Sequence, residues 1–181
     1  MFHNFASKHI YQSQLDLSIC NEAYKFVDKM KDNFTDKSWE CKIRTSLNYQ
    51  NNIINNLSLH KLKMNVLSHI DIYMHESKNF YEGFISSSWI NIYEKDFYQE
   101  YHIHNSNVHN FISGVLYLSK INSDIIFASD TSMNNIIKIT PNYGDIVLFL
   151  GDTPHRVEPN QNNDLRISLA FNFKICDVWR N

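Results

Sequence analysis

The segment Ile139–Asn160, ITPNYGDIVLFLGDTPHRVEPN, joins a turn, an apolar strand and a histidine in 22 residues. Pro141 and Gly144 are typical turn residues, and the DIVLFL run that follows them predicts a buried strand. The GDTP sequence after that strand delivers His155 at its far end. A jelly-roll barrel supplies a metal ligand from a distant strand in this way. The segment therefore predicts a β-barrel with His155 in a polar site.

The rest of the chain divides into a helical part and a β part. Helical spacing of apolar residues predicts helices over about 15–31 and 58–81. After Gly83, short β-rich runs alternate with turn residues. We therefore predict one α+β, mainly β domain over residues 1–181. Residues 1–82 form a helical brace in this interpretation, and residues 83–176 form a jelly-roll, cupin-like core.

Composition restricts the kinds of protein that this chain can be. The 181 residues carry a net charge of −2 with no basic stripe, which argues against a nucleic-acid surface. No apolar run approaches the roughly 18 residues that a membrane span needs. Three scattered cysteines without a CxxC pair are typical of reduced thiols in the cytoplasm. Exposed faces on the predicted helices suggest a homodimer.

Three of the nine histidines fall within YHIHNSNVH, at residues 101–109. In an extended chain, Glu100, His102 and His104 project to one face, so His102 and His104 can bind a single metal ion. The His-x-His pair alone is a weak signal. With His155 it makes a set of three ligands, which leaves coordination positions open for chemistry.

The run LRISLAFNF, residues 165–173, places polar side chains on one face of a strand and apolar side chains on the other. Arg166, Ser168 and Asn172 share the polar face. A buried guanidinium needs an anionic partner, so Arg166 either faces solvent or binds an anion inside the barrel. Its planar fork suits a carboxylate, to which Ser168 can add a hydrogen bond.

The motifs occur in a specific order between residues 84 and 173: HxH, SGVxYL, PxxGDxVLF, HxVxPN and RxSxAFN. In this the chain resembles the iron(II)- and 2-oxoglutarate-dependent oxygenases, in particular a group of small members in marine bacteria and their phages. The resemblance implies a double-stranded β-helix. It also implies Fe(II), 2-oxoglutarate and O2, and the hydroxylation of a small-molecule or peptide substrate with release of succinate and CO2.

The resemblance also implies roles for individual residues. His102 and His155 correspond to the first and last metal ligands of the family. Arg166 and Ser168 correspond to the Arg-x-Ser pair that binds the far carboxylate of 2-oxoglutarate, and Tyr117 is similar in place to a tyrosine that contacts the same carboxylate. Further pocket residues are expected at Asn91 and Asn172, with an aromatic lining drawn from Trp89, Tyr93, Phe127 and Phe149.

The middle metal ligand departs from the family, because His104 stands where most members have Asp or Glu. We interpret the site as three histidines, since a neutral third ligand still satisfies Fe(II). The alternative is that a carboxylate, Glu100 or Asp152, takes this place. The segment 105–110 makes a loop at the mouth of the barrel, and His109 within it is a substrate contact or a surface residue.

Two other functions fit the same residues. A cupin-type metalloenzyme could use the three histidines without 2-oxoglutarate, and a jelly-roll binding module could use no metal at all. The position of Arg166 discriminates between the oxygenase and the cupin-type enzyme. If its side chain lines the pocket, a 2-oxo acid is the natural partner, whereas a solvent-facing Arg166 favours the cupin.

Overall fold

A computed structural model describes residues 1–5, 8–36, 41–48, 52–78, 80–104, 111–120, 123–129 and 135–179. It contains two α-helices and twelve β-strands within these ranges. The helices are α1 (Leu17–Asp28) and α2 (His60–Glu76). The strands are β1 (Phe2–Phe5), β2 (Lys8–Gln14), β3 (Thr35–Asp36), β4 (Arg44–Thr45), β5 (Phe80–Tyr93), β6 (Gln99–His102), β7 (Phe111–Tyr117), β8 (Ile125–Ala128), β9 (Ile136–Ile139), β10 (Asp145–Leu150), β11 (His155–Val157) and β12 (Arg166–Trp179).

The strands form two antiparallel sheets. The major sheet has eight strands in the order β1-β2-β10-β7-β12-β5-β4-β3, and the minor sheet has four in the order β6-β11-β8-β9. An apolar cluster between the sheets includes Tyr117 and Val147 from the major sheet and Phe127 from the minor sheet. This architecture confirms the predicted mainly β fold of the double-stranded β-helix type.

The helices cover the opposite face of the major sheet. Buried residues of α1 and α2 pack in one cluster with alternate residues of β5, β7, β10 and β12. Helix α1 begins after Asp16, whose carboxylate accepts a hydrogen bond from the backbone N–H of Ser18 at 2.7 Å. Both helices lie inside the predicted ranges, and α2 ends earlier than predicted because β5 starts at Phe80.

The segment 1–82, predicted as a helical brace, contains strands as well as the two helices. Strands β1 and β2 precede α1, and β2 pairs with β10 so that the N-terminal segment extends the major sheet. The physical reason is that β10 has one edge available, and β2 satisfies its backbone groups. Ile10 of β2 joins the cluster between the sheets. The N-terminal residues therefore belong to the β core as well.

Two glycines are required by the local geometry. Gly144 has φ of +84° in the turn before β10, a conformation that other residues rarely adopt. Gly114 of β7 lies beneath the Phe171 ring of β12, and a Cβ atom there would come within 2.1 Å of that ring. Both positions explain why these few glycines fall in the β half.

No helix in the described part of the chain is long and apolar enough to cross a membrane. The buried residues of α1 and α2 pack against the major sheet of the same chain. Leu17, Tyr24, Met64 and Ile72 of these helices stay exposed, and the homodimer stays a prediction.

Candidate metal centre

His102, His104 and His155 come together between the two sheets. Each contributes one nitrogen atom to a group in which all three lie within 4.8 Å of one another. His102 of β6 is paired directly with His155 of β11, and their ring centroids are 4.2 Å apart. The chain leaves β6 before His104, whose backbone N–H donates to the Gly151 carbonyl at 2.9 Å.

Hydrogen bonds fix which nitrogen each ring offers. The Nδ1 atoms of His102 and His155 lie 2.8 Å and 2.9 Å from the backbone carbonyl oxygens of Glu100 and Thr153. A carbonyl oxygen only accepts, so each Nδ1 carries the proton and each Nε2 keeps its lone pair. The two rings therefore turn Nε2 towards the shared space, as histidine metal ligands do.

His104 uses a side chain for the same purpose. Its Nδ1 lies 2.6 Å from Oδ1 of Asn172, and the Ser113 hydroxyl oxygen is 3.0 Å from the same nitrogen. The structure places Asn172 beside His104, and its predicted role in the 2-oxoglutarate pocket stays a prediction. Asn172 is six residues beyond Arg166 on β12, roughly 20 Å along the strand.

Burial keeps the three imidazoles neutral. It lowers the pKa of His102 and lowers the pKa of His155 well below its ordinary value, in the latter case with help from the two neighbouring histidines. Burial also lowers the pKa of His104 to about 4, against the opposing effect of Asn172. Neutral imidazole is the form that binds iron, zinc, copper or nickel. The set of donor atoms therefore fits a transition metal ion.

Three of the four predicted lining rings pack against the centre. The Trp89 ring centroid is 5.8 Å from that of His104, and two phenylalanines lie beside His155. The Phe149 ring centroid is 4.6 Å from that of His155, and the Phe127 centroid is 5.9 Å from it. Both phenylalanines are fully buried in the cluster between the sheets. They form an apolar wall behind His155.

A narrow inner cavity connects the histidines to Arg166. Asn91, Tyr93, Tyr117 and Ser168 line it, so it contains every predicted co-substrate residue except Asn172. The guanidinium carbon of Arg166 lies 5.1 Å from the ring centroid of Tyr93 and 5.5 Å from that of Tyr117. The side chain of Arg166 therefore points into the interior of the protein, as the strand alternation predicts.

Arg166 is only 2% exposed, and no carboxylate of the described residues lies within ion-pair distance of it. One guanidinium nitrogen donates to the Ser123 hydroxyl at 2.7 Å, whereas Nε has no partner in the described part of the chain. A buried cation without an anion is costly unless a ligand supplies the charge. The inner cavity therefore fits an anionic group.

Two more buried polar atoms of this cavity lack hydrogen-bond partners among the residues described here, the Tyr117 hydroxyl and Asn91 Oδ1. Burial raises the pKa of Tyr117 to about 12 in spite of the nearby guanidinium, so the hydroxyl keeps its proton. The open volume is only about 20 Å³, room for about one water molecule. A bound organic anion therefore requires the lining side chains to move apart.

A wider outer cavity of about 290 Å³ lies on the other side of the histidines. Trp89, Gln99, His102 and His104 line both cavities and separate them. Four residues contribute to the outer cavity alone: Leu47, Glu100, Ile103 and Asn172. The centre therefore borders two cavities, a narrow one lined by Arg166 and a larger, more open one.

The two carboxylates considered as alternatives to His104 lie apart from the candidate ligands. Among the described residues, the cluster of possible metal ligands contains the three histidines and neither Glu100 nor Asp152. Asp152 forms an ion pair of 2.6 Å with Lys8. His109 and the loop 105–110 lie outside the described residues.

Sequence reasoning missed Ser113, Ser123 and Gln99. Ser113 is the first residue of the SGVxYL motif and directly opposes Asn172 across β7 and β12. Its place in a motif was a signal, but its hydrogen bond to Asn172 depends on the register of two strands that are far apart in sequence. Ser123 and Gln99 carry no such signal.

Comparison with known proteins gives one family match. A family model described as "Putative 2OG-Fe(II) oxygenase" matches residues 120–172, which include His155 and the strand that carries Arg166. No curated protein sequence matches the chain.

Solved structures share the fold at low sequence identity. A Pseudomonas putida prolyl-4-hydroxylase is 16% identical with a TM-score of 0.72, and the match covers 95% of each chain. A Trichoplax adhaerens prolyl hydroxylase, in complex with a hypoxia-inducible factor peptide, is 14% identical with a TM-score of 0.68, covering 91% of this chain and 83% of that one. HygX from Streptomyces hygroscopicus, with nickel and 2-oxoglutarate bound, is 10% identical with a TM-score of 0.67, covering 91% and 82%.

These similarities agree with the resemblance that the ordered motifs indicate. The family match covers the last metal-ligand motif and the Arg-x-Ser strand, and the shared fold extends over nearly the whole chain. Residues 120–172 are therefore similar to the 2OG-Fe(II) oxygenase family, and the chain as a whole shares the fold of these structures.

Proposed function

We propose that the chain is an Fe(II)- and 2-oxoglutarate-dependent dioxygenase that hydroxylates a small-molecule or peptide substrate and releases succinate and CO2. The observation that carries this proposal is Arg166, a buried guanidinium with no carboxylate beside it in the described part of the chain. It lies at one end of a cavity whose other end is lined by three histidines. An anion that also reaches a metal ion would satisfy both ends.

The position of Arg166 favours this function over the cupin alternative. A cupin that uses no 2-oxo acid gains nothing from a buried cation, which lowers the stability of the fold unless it is paired. A binding module without metal is disfavoured for a different reason: burial keeps three adjacent imidazoles neutral and able to coordinate a metal ion. The cupin alternative does not account for the buried Arg166, and the binding module does not account for the three neutral histidines.

In this proposal the Nε2 atoms of His102, His104 and His155 would hold the iron. Bound iron and 2-oxoglutarate together would supply the activation of O2 and the oxidising power for hydroxylation. Three neutral ligands leave the full 2+ charge of Fe(II) to be balanced by the dianionic co-substrate. A carboxylate ligand would reduce that charge, so the all-histidine set strengthens attraction of the co-substrate.

The residues of the inner cavity would bind and orient the co-substrate. Arg166 and Ser168 would hold its far carboxylate, with a hydrogen bond from the Tyr117 hydroxyl and polar contact from Asn91. Phe127 and Phe149 exclude water from the side of His155. A dry site makes the ionic contacts of Arg166 stronger.

The substrate would enter through the outer cavity, past Trp89. The volume of about 290 Å³ is at the lower end of the usual range of ligand pockets, so it accepts a small molecule or one side chain of a peptide. The Trichoplax adhaerens structure, which holds a peptide fragment, is an example of the second type in a protein of similar fold.

We also propose that residues 1–181 form one domain. The larger apolar cluster contains residues of both helices together with residues of β5, β7, β10 and β12. Among the described residues, neither the segment before residue 83 nor the segment after it has a separate core of this size, so the two would fold as a unit.

Anaerobic titration of the purified protein with Fe(II) and 2-oxoglutarate tests the proposed function. We expect the weak visible charge-transfer band of the metal chelate, no band in His155→Ala, and a much weaker band in Arg166→Ala. Arg156→Ala is the matched control, because Arg156 lies outside the inner cavity and pairs with Glu158 at 2.6 Å.

Slow succinate release without added substrate would support the same conclusion. If the band forms equally well without Arg166, 2-oxoglutarate is not the co-substrate and the cupin alternative gains. If His102→Ala and His155→Ala change neither metal content nor ligand binding, the centre does not bind metal.

A further inference from the structure

We propose that Asn172 is a positioning residue that holds His104 in the tautomer whose Nε2 faces the metal. The inference rests on the proposed function, because it concerns how the third ligand of that site is oriented. It assigns Asn172 to the metal centre and to no contact with the co-substrate.

The direction of the hydrogen bond follows from the chemistry of the amide. Asn172 Nδ2 donates to the Ser87 hydroxyl at 3.2 Å, which turns Oδ1 towards His104. The Ser113 hydroxyl donates to the same Oδ1 at 2.8 Å. Since Oδ1 has no hydrogen, its 2.6 Å contact with Nδ1 of His104 requires the proton on Nδ1. The lone pair is then on Nε2.

His104 differs from the other two ligands in how it is held. His102 and His155 each bond the backbone carbonyl two residues earlier, so almost any side chain at those earlier positions preserves the bond. His104 lies beyond the end of β6, and its acceptor is a side chain 68 residues later in the sequence. One substitution can therefore remove the support of one ligand alone.

The network also has a secondary acceptor. Ser113 Oγ is 3.0 Å from Nδ1 of His104, and it can accept a hydrogen bond from the Nδ1–H group if the Asn172 amide is removed. Ser113 is fully buried and opposes Asn172 directly in the pairing of β7 with β12. Loss of both side chains should therefore have a larger effect than loss of either.

Binding of Co(II) alone to the metal-free protein tests the inference. Affinity is measured by competition with a chelator, and proton NMR of the Co(II) protein records the exchangeable, paramagnetically shifted Nδ1–H signals. We expect three such signals in the unmodified protein. Asn172→Ala should weaken Co(II) binding about 10- to 100-fold, as the loss of an outer-shell partner does. It should also remove or shift one signal.

Two further variants separate positioning from general damage. Asn172→Asp keeps an acceptor for Nδ1–H, so we expect it to restore the third signal and most of the affinity. Asn172→Ala combined with Ser113→Ala should bind Co(II) more weakly than Asn172→Ala. Asn160→Ala is the matched control. It removes another buried amide, which bonds the backbone carbonyls of Tyr93 and Asp164 rather than a histidine, and it should lower thermal stability with unchanged Co(II) affinity.

The inference is overturned if the double variant keeps the affinity and the three signals of the unmodified protein. It is also overturned if Asn172→Asp fails to restore the third signal although it folds. In both cases the 2-oxoglutarate band would still form, and the proposed function would stand. Absence of Co(II) binding in the unmodified protein would contradict the proposed function itself.

Discussion

The two faces of strand β12 have opposite compositions. Ile167, Leu169, Phe171 and Phe173 face the helices in a wholly apolar cluster. On the other face, Arg166 and Ser168 line the inner cavity and Asn172 bonds a candidate metal ligand. Both sets of residues are largely shielded from solvent.

The difference shows how this fold divides stability from chemistry. Apolar burial on the helix side stabilises the sheet, at about 25 cal/mol per Å² of buried surface. The cavity side buries a cation and several polar atoms that lack partners among the described residues, which lowers stability. We therefore expect substitutions on one face to change folding and substitutions on the other to change ligand binding.

Phe171→Ala should have the largest effect on folding. It removes a fully buried ring that packs over Gly114, and comparable deletions cost about 3–5 kcal/mol of unfolding free energy. Urea denaturation of the metal-free protein measures this change. A loss below about 1 kcal/mol would mean that the helix-side face does not carry the stability of the sheet.

Arg166→Met should lower the affinity for 2-oxoglutarate without lowering the free energy of unfolding. We expect 2-oxoglutarate affinity to fall at least about 100-fold, because a buried charged partner is lost. The free energy of unfolding should stay the same or rise by about 1 kcal/mol or more, since an unpaired buried cation is replaced by an apolar side chain. Calorimetric titration and urea denaturation give the two values.

Arg156→Met is the control for Arg166→Met, because it removes a guanidinium that lies over the Tyr101 ring outside the inner cavity. It should keep the affinity for 2-oxoglutarate. A clear loss of stability in Arg166→Met would contradict the view that the cavity side is destabilising.

Acidification should lower the free energy of unfolding of the metal-free protein, because buried histidines on the cavity side resist protonation. The pKa of His104 is lowered to about 4 by burial, so an unfolded chain gains a proton below about pH 6.5 that the folded chain does not. Stability is therefore complete above pH 6.5 and is lost as pH falls towards 4. His104 alone should contribute a loss of about 2 kcal/mol between pH 6.5 and 5.

Urea denaturation at several pH values measures this loss, and His104→Gln should flatten the dependence. Ile167→Val on the helix-side face should lower stability by about 1 kcal/mol to the same extent at every pH. If the pH dependence is unchanged in His104→Gln, burial does not keep this imidazole neutral.

Ser168→Ala should give the smallest effect. It removes the hydrogen bond that we propose between Ser168 and the co-substrate carboxylate, so we expect a decrease in 2-oxoglutarate affinity of about tenfold with little change in folding. Ser119→Ala is a matched control, since the Ser119 hydroxyl accepts from the Ile167 backbone N–H at 2.7 Å. It should lower stability and keep the affinity, and the reverse result would contradict the assignment of Ser168.

Period-two alternation was enough to predict the division of β12. It placed Arg166 and Ser168 on one face and the large apolar side chains on the other, as the structure does. The strand that precedes His155 was equally clear, because five of its six residues are buried and its sequence is almost wholly apolar. These features are local, and local patterns determine them.

Features that depend on strand register were not predictable. Strand β2 has only two buried residues, and its place in the sheet is decided by the edge of β10. The placement of Asn172 beside His104 requires β12, β7 and the end of β6 to meet in one register. A single sequence gives the face of a polar residue but not its partner on a distant strand.

The contact of Phe171 with Gly114 links the helix-side face of β12 to its cavity-side face. Asn172 opposes Ser113 one position along the same ladder, so a side chain at 114 that pushes the ring away would also shift the amide that orients His104. A randomly mutagenised library screened for loss of iron would then recover substitutions at position 114, although that residue touches no ligand. The position of these substitutions in the sequence would not explain the loss of iron, whereas the pairing of β7 with β12 would.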